Sequence, residues 1–386
     1  MKTVCQDNMC TGCKACVNSC PKNAINILDN IEAINAVVDT ELCINCSLCE
    51  KVCPNLSKRE LKAPVFWKQG WAEDEIRKTS SSGGAASAII KSFILSGGYV
   101  ASCVFKDGEF GFEITNNLEL ARRFAGSKYV KSNPGSIYKD VKSILKSGQK
   151  VLFVGLPCQS AGVQNYCGDK LSDNLYTVDL VCHGTPSPKI LKQFIEEQGF
   201  DWNSILDIQF RNNDHFGLSK DGKRITPNRV TDSYLRAFLR SVDYTENCYS
   251  CRYATSDRVS DITLGDAWGQ MADTSSEGVS LILCQTQKGI ELVKGANLHL
   301  EDVDPKRVVE ANHQLQHPSI KHPGREKFLN EIKRGHSVRK ATFAAMPKES
   351  MKQSVKYGLI KAGVIKDSSN LWGGYQITVL YKSSKD

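Results

Sequence analysis

Two copies of one cysteine pattern near the N-terminus constrain the fold of this 386-residue chain more than any other feature. The pattern C-x-x-C-x-x-C-x-x-x-C-P runs from Cys10 to Pro21, and it is repeated 33 residues later from Cys43 to Pro54. Three cysteines at such intervals wrap a tight loop around one face of an iron–sulfur cluster, and the fourth ligand comes from elsewhere. The repeat therefore predicts a small module of two equivalent cluster-binding halves.

In the bacterial form of this repeat, the fourth cysteine of each run ligates the other cluster. We therefore predict two 4Fe–4S clusters with these ligands: Cys10, Cys13, Cys16 and Cys53 for the first, and Cys43, Cys46, Cys49 and Cys20 for the second. A pair of zinc sites is the alternative, but zinc knuckles do not need a third regular cysteine or the repeated Cys-Pro. Cys5 lies outside the pattern and is predicted to be a spectator thiol.

The composition agrees with metal-binding cysteines in a reducing compartment. The chain has 16 cysteines, and disulfides are rare in the cytosol. No apolar run approaches the roughly 18–20 residues that span a bilayer, and no hydrophobic stretch follows the first five residues as in a secretory signal. We therefore expect a cytoplasmic protein without a transmembrane segment.

The net charge of +8 is unevenly distributed. Residues 1–56 hold more acidic than basic side chains, so the positive excess lies in the remaining chain. A basic body favours anionic partners such as a nucleotide, a flavin phosphate or an acidic ferredoxin. The basic residues are dispersed and no nucleic-acid-binding motif appears, so nucleic acid is not an expected partner.

The chain divides into four segments: the cysteine-rich module 1–56, a polar linker 57–64, a domain 65–336, and a basic extension 337–386 of unknown role. The domain alternates strand-like and helix-like stretches: a helix Ala85–Leu95, a hairpin over 99–105 and 110–115, a helix 137–145, strands Val151–Val154 and 175–181, and a helix from Pro188 to about 198. This alternation predicts an α/β domain with a mixed sheet, following an α+β ferredoxin-like module.

Five motifs in the domain share their order with one known family. They are residues 80–84 (SSSGG), 126–130 (GSKYV), 155–159 (GLPCQ), 179–184 (DLVCHG) and 258–269 (RVSDITLGDAWG), with Cys248-x-x-Cys251 before the last. With these motifs, residues 65–335 resemble the beta-subunit family of coenzyme F420 (deazaflavin) hydrogenases and dehydrogenases. The resemblance implies an iron–sulfur flavoprotein that passes electrons between clusters, FAD and an organic hydride carrier. Its relatives include chlorophyll-pathway reductases, so the deazaflavin is not obligatory.

The resemblance directs attention to residues that would hold FAD. A pyrophosphate cradle at a helix N-terminus is expected at Ser81, Ser82, Gly83 and Gly84, and further contacts are expected from Ser127, Lys128, Tyr129, Pro157 and Gln159. The alternative for the serine–glycine stretch is a capped surface helix, and the alternative for Lys128 is a surface lysine at the start of a strand.

Four cysteines of the domain are candidates for a third 4Fe–4S cluster. Cys158 and Cys182 end two strands that would be neighbours, and Cys248 and Cys251 have the spacing of a ligand pair. Members of the family carry a cluster in this domain, which supports the assignment. The alternative is that Cys158 and Cys182 are small buried hydrophobic residues, as we expect for Cys103, Cys167 and Cys284.

Three residues are candidates for catalysis. His183 follows Cys182 at a strand end and could give a hydrogen bond or a proton, while Asp266 and Trp268 could bind a hydroxyl and stack on a ring. Arg211 and Arg258 are possible anchors for an anionic substrate. The chain departs from the family at Leu156, where threonine is common, and at residues 214–217 (DHFG), which puts deazaflavin specificity in doubt more than flavin binding.

The sequence thus predicts a flavin-dependent iron–sulfur oxidoreductase that acts with a redox partner protein, a ferredoxin or an enzyme subunit, on a small molecule. A non-catalytic electron-transfer subunit of a larger assembly is the alternative. In the extension, Met351, Val355, Leu359 and Ala362 could line one face of a helix, for which a surface helix is the simpler interpretation than a membrane or partner helix. Residues 375–381 resemble an edge strand.

Overall fold

The computed structural model describes residues 2–212, 215–227, 230–269 and 277–365. The edge strand predicted over 375–381, the end of the basic extension, and Asp214 of the stretch that departs from the family lie outside these described residues.

The N-terminal module is a structural duplication. Strands β1 (Ile25–Asp29) and β2 (Ile34–Val38) pair antiparallel, and the short helices α1 (Ala15–Ser19) and α2 (Leu48–Val52) follow the two cysteine loops. We call residues 10–16 the first loop and residues 43–49 the second loop. Each loop reverses direction through left-handed backbone at equivalent positions, namely Gly12 (φ 70°) and Lys14 (φ 60°), and Asn45 (φ 54°) and Ser47 (φ 55°). The sequence repeat is therefore also a repeat of backbone conformation.

The strands of the remaining chain, called the body here, form two sheets. Their bounds are β3 (Phe66–Trp71), β4 (Tyr99–Lys106), β5 (Glu109–Thr115), β6 (Val151–Val154), β7 (Leu175–Leu180), β8 (Ile208–Asn212), β9 (His215–Lys220), β10 (Lys223–Arg224), β11 (Ile262–Asp266), β12 (Ser280–Cys284) and β13 (His299–Asp302). Within the described residues, the large sheet has the order β13-β3-β12-β11-β7-β6-β4-β5, and β8, β9 and β10 form a small antiparallel sheet.

The large sheet is mixed, as predicted. Strands β4, β6, β7 and β11 are parallel to one another. At one edge, β5 is antiparallel to β4. At the other edge, β12 is antiparallel to β11, β3 to β12, and β13 to β3. The β4–β5 hairpin is confirmed, and so is the adjacency of β6 and β7. Because neighbouring parallel strands end at the same edge of a sheet, the segments after β6 and β7 begin side by side.

Helices cover both faces of the large sheet and build a second core beside it. The helices of the body are α3 (Asp74–Lys78), α4 (Ala85–Leu95), α5 (Leu118–Ala121), α6 (Ile137–Lys146), α7 (Pro157–Cys167), α8 (Pro188–Glu197), α9 (Ser233–Leu239), α10 (Gln287–Lys294), α11 (Pro305–Ala311), α12 (Arg325–Lys333), α13 (Val338–Ala345) and α14 (Pro347–Lys361). On one face Ile89 and Phe93 of α4 pack with Val293 of α10. On the other face α6 and α7 bury Tyr138 and Val163.

The second core lies between the small sheet and helices α8, α9, α12 and α13. Phe194, Phe210, Tyr234 and Phe328 are at most 2% exposed there. Val338 of α13 is fully buried in the same core, so the boundary predicted at residue 336 does not separate two packed bodies. In α14, by contrast, the predicted face of Met351, Val355 and Leu359 is exposed to solvent.

The N-terminal module is docked on the body. Cys13 and Ala15 belong to the same buried group as α6 and α7. Polar contacts flank this packing: Asn18 Nδ2 donates to Gly135 O at 2.8 Å, Ser187 Oγ donates to Asp29 Oδ2 at 2.6 Å, and Lys333 pairs with Glu32 at 2.7 Å. The linker follows the same surface, because Lys62 exchanges two backbone hydrogen bonds with Arg258. Two acidic side chains of the module, Asp29 and Glu32, thus contact the body.

Among the described residues, no helix combines the length and the apolar character needed to cross a bilayer.

One buried carboxyl group makes the stability of this fold depend on pH. Asp243 is completely buried, and burial raises its pKa from 3.8 to about 8. Since the folded state holds this proton more tightly than the unfolded state, the group's contribution to stability is complete below about pH 4 and is lost as pH rises to about 8.

We expect Asp243→Asn to remove this dependence. The unfolding free energy of the variant should exceed that of the unmodified protein by an amount that grows from pH 6 to 8 and levels off above pH 8. Anaerobic urea denaturation measures this difference. Asp221→Asn is the control: its carboxylate accepts from Leu206 N and Asp207 N and its pKa is lowered by the Lys220 hydrogen bond, so its effect should not vary over this range. A pH-independent effect of Asp243→Asn would contradict the prediction.

Candidate functional site

The first loop presents its sulfurs inside the protein. Cys10, Cys13, Cys16 and Cys53 are 6–8% exposed, and Gly12 N donates to Cys10 Sγ at 3.4 Å. Cys53 interacts electrostatically with Cys13, so the crossing cysteine of the second run lies near the first loop. Burial raises the pKa of the Cys13 and Cys16 thiols, and thiolates at such positions need a cation such as cluster iron. The donor set fits the first predicted cluster.

The second loop is open to solvent. Cys46 is exposed, and Cys20, Cys43 and Cys49 are half-buried. A backbone amide again donates a hydrogen bond to a cysteine sulfur, from Ala24 N to Cys20 Sγ at 3.3 Å. Three apolar side chains of this region are also exposed, namely Leu42 (51%), Ile44 (55%) and Leu48 (41%). The two cluster sites therefore differ: one is buried against the body, and the other lies at the surface.

Cys5 has a closer relation to the first site than its position outside the motif suggested. Its thiol is within hydrogen-bonding reach of both Cys10 and Cys53, and Asn55 Nδ2 lies 3.6 Å from its sulfur. Asn55 is held in place by donating to Met9 O at 2.6 Å. A fifth thiol therefore adjoins the first ligand set, a contact that spacing alone did not reveal.

Helix α7 connects the first loop with the cysteines of the body. A Cβ atom on Gly162 would lie 3.3 Å from Cys13 Sγ and 3.2 Å from the Tyr138 hydroxyl. The absence of a side chain at Gly162 therefore allows this close approach. Four residues earlier on the same helix, in its first turn, stands Cys158.

Four of the seven cysteines of the body are gathered at this place, and we call Cys158, Cys182, Cys248 and Cys251 the body set. Cys182 follows β7, and Cys248 and Cys251 lie in and after the short 3₁₀ helix Glu246–Ser250. Cys158 interacts electrostatically with Cys251, Cys13 and Cys182, and Cys182 interacts with Cys248 and Cys251. The structure thus brings together residues that are up to 93 positions apart in the sequence.

Hydroxyl and amide groups surround one member of the body set. Thr245 Oγ1, Asn247 Nδ2 and Thr185 Oγ1 lie 3.6, 3.7 and 3.9 Å from Cys248 Sγ. Hydrogen bonds to ligand sulfurs are a common means of tuning iron–sulfur sites. Within the described residues, no group of three His, Cys, Asp or Glu side chains has the arrangement that a single metal ion would require. This finding is compatible with a cubane cluster, because a cubane binds its four thiolates at separate corners.

A buried lysine lies between the first loop and the body set. Lys131 is 7% exposed, and its Nζ donates to Thr11 O at 3.2 Å. Burial disfavours the charged amine, but the thiol groups of Cys248, Cys158, Cys10 and Cys182 more than offset this and raise the Lys131 pKa. Sequence reasoning did not single out this residue.

A second group of polar side chains lies beyond Cys182. Arg211 of β8 pairs with Asp266 at the end of β11, with Nη1 and Oδ2 2.6 Å apart and side-chain exposures of 3% and 20%. The Arg211 guanidinium also lies 4.9 Å from the Phe216 ring and 6.0 Å from the Trp268 ring. Burial opposes its charge, but Asp266 and then Tyr129 raise the Arg211 pKa. Arg211, Asp266, Trp268 and Tyr129, all predicted from sequence, thus form one group.

His183 is held by residues that sequence reasoning missed. Gln314 Nε2 lies 2.5 Å from His183 Nδ1 and 2.6 Å from His313 Nε2. The Gln314 amide therefore links the two imidazoles, whose donor and acceptor roles depend on their tautomers. Burial and then His313 lower the pKa of His183 to about 4, and burial and then His317 lower that of His313 to about 4. His183 is therefore neutral near pH 7.

The serine–glycine stretch makes its contacts within the protein. Ser81 Oγ accepts from Ser127 N at 2.8 Å, and Ser82 Oγ donates to Val279 O at 3.0 Å. A Cβ atom on Gly83 would lie 2.5 Å from Gly70 O, and Gly84 has a left-handed φ of 83° before α4. Packing between β3 and β12 accounts for these small residues, and their assignment to FAD stays a prediction.

Other predicted cofactor residues are also engaged within the protein. Lys128 Nζ donates to Phe124 O and Ala125 O at 3.0 and 2.7 Å. Gln159 caps α7, because its Oε1 accepts from Leu156 N at 3.0 Å while its Nε2 donates to Ser132 Oγ at 3.0 Å. Pro157 is the first residue of α7.

Arg258, a predicted substrate anchor, is 1% exposed and lies 3.9 Å from the buried carboxylate of Asp179. Burial raises the Asp179 pKa, and the Arg258 charge opposes that rise. The Arg258 guanidinium thus compensates the buried charge of Asp179. Of the two predicted anchors, Arg211 is the one that adjoins the other candidate residues.

Comparison with known proteins confirms the family resemblance. Residues 148–306 match the sequence profile that describes the C terminus of the beta subunit of coenzyme F420 hydrogenase/dehydrogenase, and residues 9–56 match the 4Fe-4S dicluster domain. The first match contains the whole body set and Asp266; residues 65–147, which the resemblance also included, precede it.

Individual relatives are distant. The coenzyme F420-dependent sulfite reductase of Methanocaldococcus jannaschii is 23% identical over 337 residues, 80% of this chain and 50% of the relative. An uncharacterized protein of the same organism is 26% identical over 184 residues, 39% of this chain and 51% of that protein. The chain therefore spans about half the length of these curated relatives.

Among solved structures, a chain of the F420-reducing nickel–iron hydrogenase complex from Methanosarcina barkeri aligns with a TM-score of 0.44 at 19% identity. The alignment covers 71% of this chain and 95% of that chain.

The close approach at Gly162 yields a test of the first site. In Gly162→Ala the new methyl group would press on Cys13, whose sulfur cannot retreat without leaving its cluster, and overpacking of this kind costs about 1–3 kcal/mol. We expect the variant to lose iron and the electron paramagnetic resonance (EPR) signal of the first cluster after anaerobic purification.

Gly358→Ala is the matched control, since that glycine also lies in a helix, α14, and a Cβ atom there meets nothing within 4 Å. It should keep all its iron and gain about 0.5–1 kcal/mol of stability. Full iron and an unchanged spectrum in Gly162→Ala would show that the first loop does not depend on this contact.

Proposed function

We propose that this protein is an iron–sulfur oxidoreductase that passes single electrons from a partner protein through three 4Fe–4S clusters to an organic hydride carrier. The observation that carries the proposal is the order of the cysteine sets. The second loop lies at the surface, the first loop is buried on α7, and the body set adjoins it and leads through Cys182 to His183.

The second loop is the proposed place of electron exchange with the partner. Electron transfer slows steeply with distance, so a surface cluster is the natural contact. The exposed Leu42, Ile44 and Leu48 provide an apolar surface at this loop, of the kind that marks protein–protein contacts. A redox partner protein, either a small carrier or an enzyme subunit, would bind there.

The organic carrier is proposed to bind at the group formed by Arg211, Asp266, Trp268, Tyr129 and His183. When bound, a flavin ring would supply the exchange between two single electrons and one hydride, because it can stabilise a one-electron intermediate, and a deazaflavin would exchange only the hydride. Arg211, oriented by its ion pair with Asp266, would hold an anionic part of the ligand. Trp268 and Tyr129 offer rings for stacking.

Neutral His183 is held by its contact with Gln314, so it is placed to give a hydrogen bond or a proton to the ligand. Ser319 Oγ donates to His183 O at 2.6 Å and also restrains its backbone. The matched family and the sulfite reductase relative are both named for F420, which favours a deazaflavin as the first carrier to test. FAD, expected from the sequence, would supply the step between single electrons and the hydride.

A non-catalytic electron-transfer subunit is the alternative function. The exposed apolar residues of the second loop favour it as well, because both functions need a partner at this surface. The two proposals differ in what the isolated chain does. The subunit would hold its clusters, yet it would bind neither ring and would not reduce one.

The test is anaerobic purification of the full chain with iron, sulfide and flavin counted per chain, followed by mixing of the reduced, FAD-supplemented protein with F420. We expect about twelve irons, as three clusters require, and bleaching of the ring absorption on reduction. Twelve irons without ring reduction would favour the subunit, and eight irons would remove the body cluster.

Paired substitution identifies the third ligand set. Cys248→Ser combined with Cys251→Ser should lower the count by about four irons and slow ring reduction, while the N-terminal clusters keep their EPR signals. Cys284→Ala is the control, because this thiol is completely buried in β12 and belongs to none of the three sets. An unchanged iron count in the double variant would contradict the assignment.

A further inference from the structure

We propose that Lys131 is a positioning residue whose buried charge sets the reduction potentials of the first cluster and the body cluster. The inference rests in part on the proposed function, because the body cluster is itself proposed there. It concerns a residue outside every motif that the sequence singled out.

Lys131 is fixed at both ends. Its backbone N–H donates to Pro186 O at 3.0 Å, and its Nζ donates to Thr11 O at 3.2 Å. Between these points its side chain lies along the first loop, with Cδ 3.3 Å from the place where a Cβ on Gly12 would stand. With 7% exposure, the amine has little contact with solvent.

The charge of Lys131 acts on both sulfur sets. It interacts with Cys10 of the first loop on one side and with Cys158, Cys182 and Cys248 of the body set on the other. The position between the two sets follows from these contacts together with the hydrogen bond to Thr11, which lies between Cys10 and Cys13 in the chain.

A positive charge at this position favours reduction of either cluster. Each cluster becomes more negative by one charge when it takes an electron, and net charge near a cluster is one of the determinants of its potential. Lys131 is only 7% exposed, so water screens its charge weakly.

Lys142 of α6 provides the control. Its ammonium donates to Tyr166 O at 2.7 Å and lies 4.9 Å from the Tyr166 ring. The thiol that its charge affects is Cys167, which belongs to no predicted ligand set. Lys142→Met therefore removes an ammonium from the body without changing the charge beside a cluster.

The test is an EPR-monitored potentiometric titration of the full chain, purified anaerobically, with iron counted in each variant. In Lys131→Met, the ratio of reduced to oxidised first cluster at the midpoint of the unmodified protein should fall at least tenfold, which corresponds to about 59 mV for one electron. Lys131→Arg should recover most of the shift because it keeps the charge, and Lys142→Met should stay within twofold of the unmodified protein.

Lys131→Gln separates charge from hydrogen bonding, since its amide can still donate to Thr11 O. Lys131→Gln should shift the ratio of reduced to oxidised first cluster nearly as far as Lys131→Met. If the methionine variant fails to hold iron, the glutamine variant alone tests the role of the charge. A glutamine variant with full iron and an unchanged potential would overturn the proposal. Eight irons in the unmodified protein would instead refute the body cluster of the proposed function, while the shift of the first cluster would still be measurable.

Discussion

The contact between the first cysteine loop and helix α7 is the constraint on which the rest of the structure depends. Cluster ligands must converge on a fixed geometry, so the first loop cannot adjust to a bulky neighbour. Gly162 leaves the space that Cys13 needs, and Cys158 in the first turn of the same helix begins the body set. One helix therefore positions both sulfur sets, and the acidic module with its ion pair from Glu32 to Lys333 is held on a basic body.

Electrostatics then distinguishes the two ends of this arrangement. At the sulfur end, thiolates buried from water are accompanied by a lysine and by hydrogen-bond donors around Cys248. At the other end, Asp266 balances the buried Arg211, and burial keeps His183 neutral beside Gln314. Buried charges of this kind need close partners. A site so divided suits the passage of electrons at one end and the binding of an anionic ligand beside a neutral proton carrier at the other.

The sequence predicted what local spacing controls, and it missed what distant contacts control. The cysteine repeat determines the backbone of both loops, helix Ala85–Leu95 has the bounds predicted for it, and the ends of β6 and β7 place Cys158 and Cys182 side by side. The contact of Gln314 with His183, by contrast, joins residues 131 positions apart. No periodicity indicates such a contact, and the same holds for Lys131, which resembles an ordinary surface lysine until the first loop packs against it.

Iron anomalous diffraction from an anaerobically grown crystal of the full chain tests the central claim most directly. Three iron peaks are expected in sequence: one at the exposed second loop, one at the first loop beside Gly162, and one among Cys158, Cys182, Cys248 and Cys251. Two peaks alone, or a third peak separated from the first loop by the width of the sheet, would contradict the claim, because α7 would then not join two neighbouring redox sites.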